Sequence, residues 1–96
     1  MNLLVTYDVN TLTPEGRRRL RRVAKICEGW GQRVQLSVFE CTVNEAQKEL
    51  LVGRLTGAID AKEDSLRIYH LRGAHSSVVE CYGIDAYRDF TAPLIV

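Results

Sequence analysis

Arg33–Val43 reads RVQLSVFECTV, and the way this run divides decides the fold. Val34, Leu36 and Val38 alternate with Arg33, Gln35, Ser37 and Phe39, the period of a strand with one buried face. The run is long for one strand, yet it holds no Gly or Pro of the kind that marks a hairpin. Either it is a single strand with Arg33, Gln35, Ser37 and Phe39 on one face, or it bends near Leu36-Ser37 into two strands. The pattern leaves both open.

Upstream, Thr13-Pro14-Glu15 is a helix start, with Thr13 able to cap and Pro14 at the first helical position. Leu20, Val23, Ala24 and Cys27 recur at helical spacing, Ile26 and Trp30 widen the stripe, and Gly29 and Gly31 end it. Arg17, Arg18, Arg21, Arg22 and Lys25 fall on the opposite arc, while Arg19 sits towards the apolar side. From Pro14 to Arg33 seven basic residues meet two acidic ones, an excess of five. The remainder has six basic against ten acidic residues, which leaves the whole chain at +1. Crowded cations on one arc repel one another, and an anionic polymer relieves them.

Ahead of that helix, Leu3–Asn10 reads LLVTYDVN, a strand with Leu3, Val5, Tyr7 and Val9 on one face and Leu4, Thr6 and Asp8 on the other. It delivers one carboxylate, Asp8, to its own C-terminal end. Asp8 is either a strand-end acid of a site or a residue of the turn to Thr13.

Downstream, Asn44 with Gln47 resembles a capping box. Leu50, Leu51, Leu55, Ala58 and Ile59 form the core stripe of a second helix, weakened at its end by Gly57. Asp60–Asp64 is a charged loop. Ser65–Leu71 alternates as a strand, with Leu66, Ile68 and His70 on one face and Arg67, Tyr69 and Leu71 on the other. A turn at Arg72–His75 leads to a last strand, roughly Ser77–Tyr82, closed by Gly83. The apolar tail Ile84–Val96 docks on its own subunit or on a neighbour.

Ninety-six residues, 46% of them hydrophobic, make one domain: a core over 1–71, then a final strand and tail over 72–96 that serve dimer formation. No signal peptide and no apolar run near 18 residues is present, which points to a soluble cytoplasmic protein without a membrane partner. Cys27, Cys41 and Cys81 are odd in number and form no CxxC, so they read as reduced thiols packed as small hydrophobes. His70 reads as a structural histidine. No metal-binding repeat, Ser-His-Asp set, phosphate loop or dinucleotide fingerprint occurs.

With the central run divided, the order is βαββαβ plus one strand. That is an α+β, ferredoxin-like fold with both helices on one face of an antiparallel sheet. The other face stays open, and a second copy covers it most economically. In such a homodimer Asp8 of one subunit faces Asp8 of the other. Two carboxylates suit Mg²⁺ or Mn²⁺ shared between the subunits.

The strand ending Tyr7-Asp8-Val9, the Arg-rich first helix, the run Arg33–Cys41 and Asp64-Ser65-Leu66-Arg67-Ile68-Tyr69 together resemble CRISPR-associated protein 2. The likeness covers nearly the whole chain up to Leu71, and Gln35-x-Ser37-Val38-Phe39-Glu40 is its most specific element. The resemblance implies a ferredoxin-like homodimer in which the last strand of each subunit joins the partner's sheet. It implies the adaptation stage of CRISPR immunity, where the dimer bridges the integrase CRISPR-associated protein 1 and holds prespacer duplex DNA. It also implies metal-dependent endonuclease activity on single-stranded RNA or double-stranded DNA. Asp8 is then the metal-binding acid, with Tyr7, Arg33 and Phe39 at motif positions associated with activity. Arg17, Arg18, Arg19, Arg21, Arg22 and Lys25 supply phosphate contacts. His70 and His75 are candidate bases only by elimination. The competing readings are a non-catalytic DNA adaptor, a small-molecule regulatory module and a toxin-type ribonuclease on the same fold.

Overall fold

The computed structural model describes residues 1–71 and 78–84. The elements are β1 (Asn2–Asp8), α1 (Pro14–Glu28), β2 (Gly31–Gln35), β3 (Val38–Thr42), α2 (Glu45–Ala58), β4 (Ser65–Leu71) and β5 (Val78–Gly83). The turn at Arg72–His75 and the tail beyond Ile84 lie outside the described residues.

The central run divides. Leu36-Ser37 forms a turn between β2 and β3, and the pairing slips from Arg33↔Phe39 to Gln35↔Val38, a bulge at Val34. No glycine is needed, because no non-glycine residue among those described has a positive φ. Instead the turn is held from outside: the Tyr7 N–H donates to the Ser37 carbonyl at 3.1 Å.

Five antiparallel strands lie in the order β2-β3-β1-β4-β5. β1 is central. Leu3, Val5 and Tyr7 face the helices with Phe39, Cys41, Leu66 and Ile68, and Val23, Cys27, Leu51, Leu55 and Ala58 close the core from the helix side. Both helices are capped as their sequences require. Thr13 Oγ1 accepts the Gly16 N–H at 3.1 Å, and Asn44 and Gln47 exchange side chain-to-backbone bonds of 2.8 and 2.9 Å.

Several expectations need correction. Leu50 is 56% exposed. The stripe of α2 is Leu51, Leu55 and Ala58, and Leu50 stands about 100° off it. Cys27 and Cys41 are buried, but Cys81 is exposed, since it pairs opposite Arg67 on the face away from the helices. Val78–Gly83 pairs with β4 of its own chain, Leu66 opposite Tyr82. Gly83 has φ +83°, and a Cβ there would lie 2.0 Å from the Asp64 carbonyl oxygen, so this close approach needs glycine.

Candidate functional site

Asp8 ends β1, exposed, opposite Ser65 at the tip of β4. With Asn10, Glu63, Ser65 and Ile84 it lines a depression of about 150 Å³. Asn10 Nδ2 donates to Glu63 Oε2 at 2.8 Å, which brings a second carboxylate to the same hollow. Glu63 and Asn10 were missed from the sequence, because their nearness depends on the β1–β4 register rather than on spacing along the chain.

Behind this hollow lies Asp64, fully buried. Its carboxylate accepts Arg19 Nε at 2.8 Å and Nη2 at 3.2 Å, the Asp60 N–H at 2.8 Å and the Asn10 N–H at 3.0 Å. Its carbonyl accepts the Ile84 N–H at 2.7 Å. Burial works to raise its pKa, but the Arg19 guanidinium and the two backbone N–H groups outweigh burial and hold it low. Asp64 thus ties α1, the β1–α1 loop and the α2–β4 loop together through its carboxylate, and the end of β5 through its carbonyl. Arg19, expected among the phosphate-binding residues, is committed to this bond and leaves the basic face.

Tyr7, Phe39 and Arg33 form a separate group. They lie on the helix-facing side of the sheet, because neighbours along a strand point to opposite faces. The Tyr7 and Phe39 rings stack with centroids 6.3 Å apart and 21° between planes. The Arg33 guanidinium carbon is 5.1 Å from the Phe39 centroid, and Arg33 pairs with Glu28 at 3.3 Å. Burial and the nearby Cys27 raise the Tyr7 phenol's pKa against a lowering by Arg33. The fold does not bring these three residues to Asp8.

Along α1, Arg17, Arg18, Arg21, Arg22 and Lys25 are all exposed. Arg17 donates to the Thr11 carbonyl at 3.2 Å and Arg18 pairs with Glu15 at 3.4 Å, both weak and solvated. Arg21, Arg22 and Lys25 make no ion pair among the described residues. These cations crown the helix layer, while Asp8 lies on the other side of the sheet. That far face carries Leu4, Thr6, Val38, Arg67 and Tyr69, partly buried, and Leu71, exposed. No helix covers it. Among the described residues no group of three or more His, Cys, Asp or Glu side chains is placed to hold a metal. No helix among them is long and apolar enough to cross a membrane.

Residues 1–78 match the family model for CRISPR associated protein Cas2. The chain is 54% identical over 96 residues to a CRISPR-associated endoribonuclease Cas2 of Moorella thermoacetica, with 100% of both chains covered. It is 48% identical over 95 residues to a CRISPR-associated endonuclease Cas2 of Halalkalibacterium halodurans, with 99% of both covered. Among solved structures it resembles Streptococcus pyogenes Cas2, with TM-score 0.70 and 60% identity over 75% of this chain and 87% of that one. A hypothetical protein of Thermus thermophilus follows, with TM-score 0.66 and 32% identity over 82% of this chain and 96% of that one.

Proposed function

The chain belongs to the CRISPR associated protein Cas2 family, and from that premise we propose a nucleic-acid-binding homodimer of CRISPR adaptation that also cleaves phosphodiesters. It holds prespacer duplex DNA through the basic face of α1 in each subunit and bridges the integrase CRISPR-associated protein 1. Mg²⁺- or Mn²⁺-dependent cleavage of RNA or DNA is carried by Asp8 of both subunits. Relatives named endoribonuclease and endonuclease support the cleavage reading. The observation that carries it is the exposed strand-end Asp8 beside a sheet face with no helix over it among the described residues.

The donor set fits a hard cation. Asp8, Glu63, Asn10 and Ser65 offer only oxygen ligands in one hollow, the preference of Mg²⁺ and Mn²⁺. One chain supplies too few of them, so a second Asp8 completes the set. A bound divalent cation there polarises the phosphodiester and neutralises charge that develops on its oxygens. The chain's own part is to hold Asp8 in place, through β1 pairing on both sides and the Asn10–Glu63–Asp64 bonds behind it.

A second reading, a purely structural DNA adaptor, is favoured by one observation: the cations of α1 and the acid of β1 lie on different sides of the sheet. Binding and cleavage are therefore separable. Duplex affinity and Mg²⁺-dependent cleavage of labelled RNA and duplex DNA would be measured for wild type, Asp8→Asn and Arg18→Glu/Arg21→Glu. The dual function expects Asp8→Asn to lose cleavage and keep duplex affinity, and the double reversal to lose affinity. Cleavage by Asp8→Asn at the wild-type rate removes Asp8 from the reaction. A wild type that binds duplex but cuts nothing leaves the adaptor alone.

A further inference from the structure

We propose that the groove between the C-terminal half of α1 and α2 is a binding site for an unpaired nucleotide, its base against Trp30 and Arg54 and its phosphate against Arg22 and Lys25. The groove has a volume of about 570 Å³, within the range of small-molecule sites, roughly 300–1,000 Å³. Arg22, Lys25 and Arg54 line it, and no carboxylate among the described residues does. Three cations around one hollow without an acid attract an anion. The floor is planar and apolar: Trp30 and Ile26 are partly buried against the core, and the Arg54 guanidinium carbon lies 5.9 Å from the Trp30 ring centroid. An indole and a flat guanidinium are the surfaces on which unpaired bases stack. Gln47, in the first turn of α2, also lines the hollow.

Cations alone would fit an acidic peptide. The Trp30–Arg54 pair favours a nucleotide, whose base and phosphate require both features at once. A paired base has no free face to offer, so the site takes single-stranded ends and not blunt duplex. This deepens the nucleic-acid reading above and rests on it for the ligand class; it shares Arg22 and Lys25 with the basic face and adds Trp30 and Arg54. Arg17, Arg18 and Arg21 lie outside the groove, and Arg54 and Trp30 lie outside the basic face.

Trp30 is the only tryptophan in the chain, so its emission reports the groove directly. The full-length protein would be titrated with an octathymidylate while Trp30 emission is followed, and blunt duplex binding would be followed separately by anisotropy of a labelled duplex. We expect saturable quenching by octathymidylate and little by duplex. Arg54→Gln should weaken the octathymidylate about tenfold and leave duplex affinity unchanged. Duplex binding without quenching by octathymidylate overturns the groove and leaves the basic helix standing. Quenching without duplex binding does the reverse. Absence of both overturns both. A glutamate octapeptide that quenches as strongly as the oligonucleotide overturns the nucleotide assignment, as does wild-type affinity in Arg54→Gln.

Discussion

Asp64 carries a negative charge at a position fully closed to water, and four donors make that tolerable. Removing the carboxylate leaves the Asp60 and Asn10 N–H groups and Arg19 without their acceptor. Asp64→Ala is expected to cost about 1–3 kcal/mol, read as a lowered urea midpoint, and to loosen the loop beside Asp8. Phe39 and Tyr7 lie in the core, whereas Asp8 is in solvent. Phe39→Leu should therefore cost about 1 kcal/mol and leave Mg²⁺-dependent cleavage near the wild-type rate; a loss of cleavage with the fold intact would restore Phe39 to the reaction. Glu80 is expected to contribute to acid sensitivity. Burial works to raise its pKa, but Lys48 at 2.6 Å, His70 and the Tyr82 hydroxyl at 3.0 Å outweigh burial and hold it at about 2. A carboxylate lowered on folding stabilises above its unfolded value, about 4.3, and that stability fades as pH falls towards 2. Tm should drop between pH 5 and pH 3, and the drop should be shallower in Glu80→Gln. An equal drop in both would place the acid sensitivity elsewhere.

At the scale of elements, α1 serves two sides. Its inner stripe, Val23 and Cys27, seals the sheet, and burial pushes the Cys27 thiol up to about 12. Its outer arc presents cations. Arg18→Glu/Arg21→Glu is expected to weaken duplex binding and to reduce the slope of log affinity against log salt by about two per subunit; an unchanged slope would place the phosphates elsewhere. The helices were legible in the sequence, because their signals are local. Thr13-Pro14, Asn44 with Gln47 and the apolar spacings each act within one or two turns. The β2–β3 hairpin was not. Its turn lacks glycine, since the Tyr7 N–H and the Val34 bulge supply what a turn residue otherwise would, and both are set by tertiary pairing. The same holds at the acidic end. Asp8 was visible as an acid ending a strand, whereas Glu63 and Asn10 meet beside it only once β1 and β4 align. Arg19 was half visible: its place towards the apolar side of α1 set it apart, but its partner Asp64 is 45 residues away.

At the scale of the molecule, the described residues give the sheet one clothed face and one bare one. The helices cover the first; on the second, Leu4, Val38, Tyr69 and Leu71 stand with no layer of described residues above them. A second copy packed there about a two-fold axis gives each Asp8 a twin and makes the cation site a property of the dimer rather than of the chain. That sharing is open to direct measurement. Wild-type and Asp8→Asn subunits would be mixed, allowed to exchange, and assayed for Mg²⁺-dependent RNA cleavage as the variant fraction rises. A site built from both aspartates needs two wild-type subunits, so at equal mixing activity should fall to about one quarter of the unmixed wild type. Activity of about one half at equal mixing, following the wild-type fraction in a straight line, would show that each chain cuts alone and would contradict the shared site.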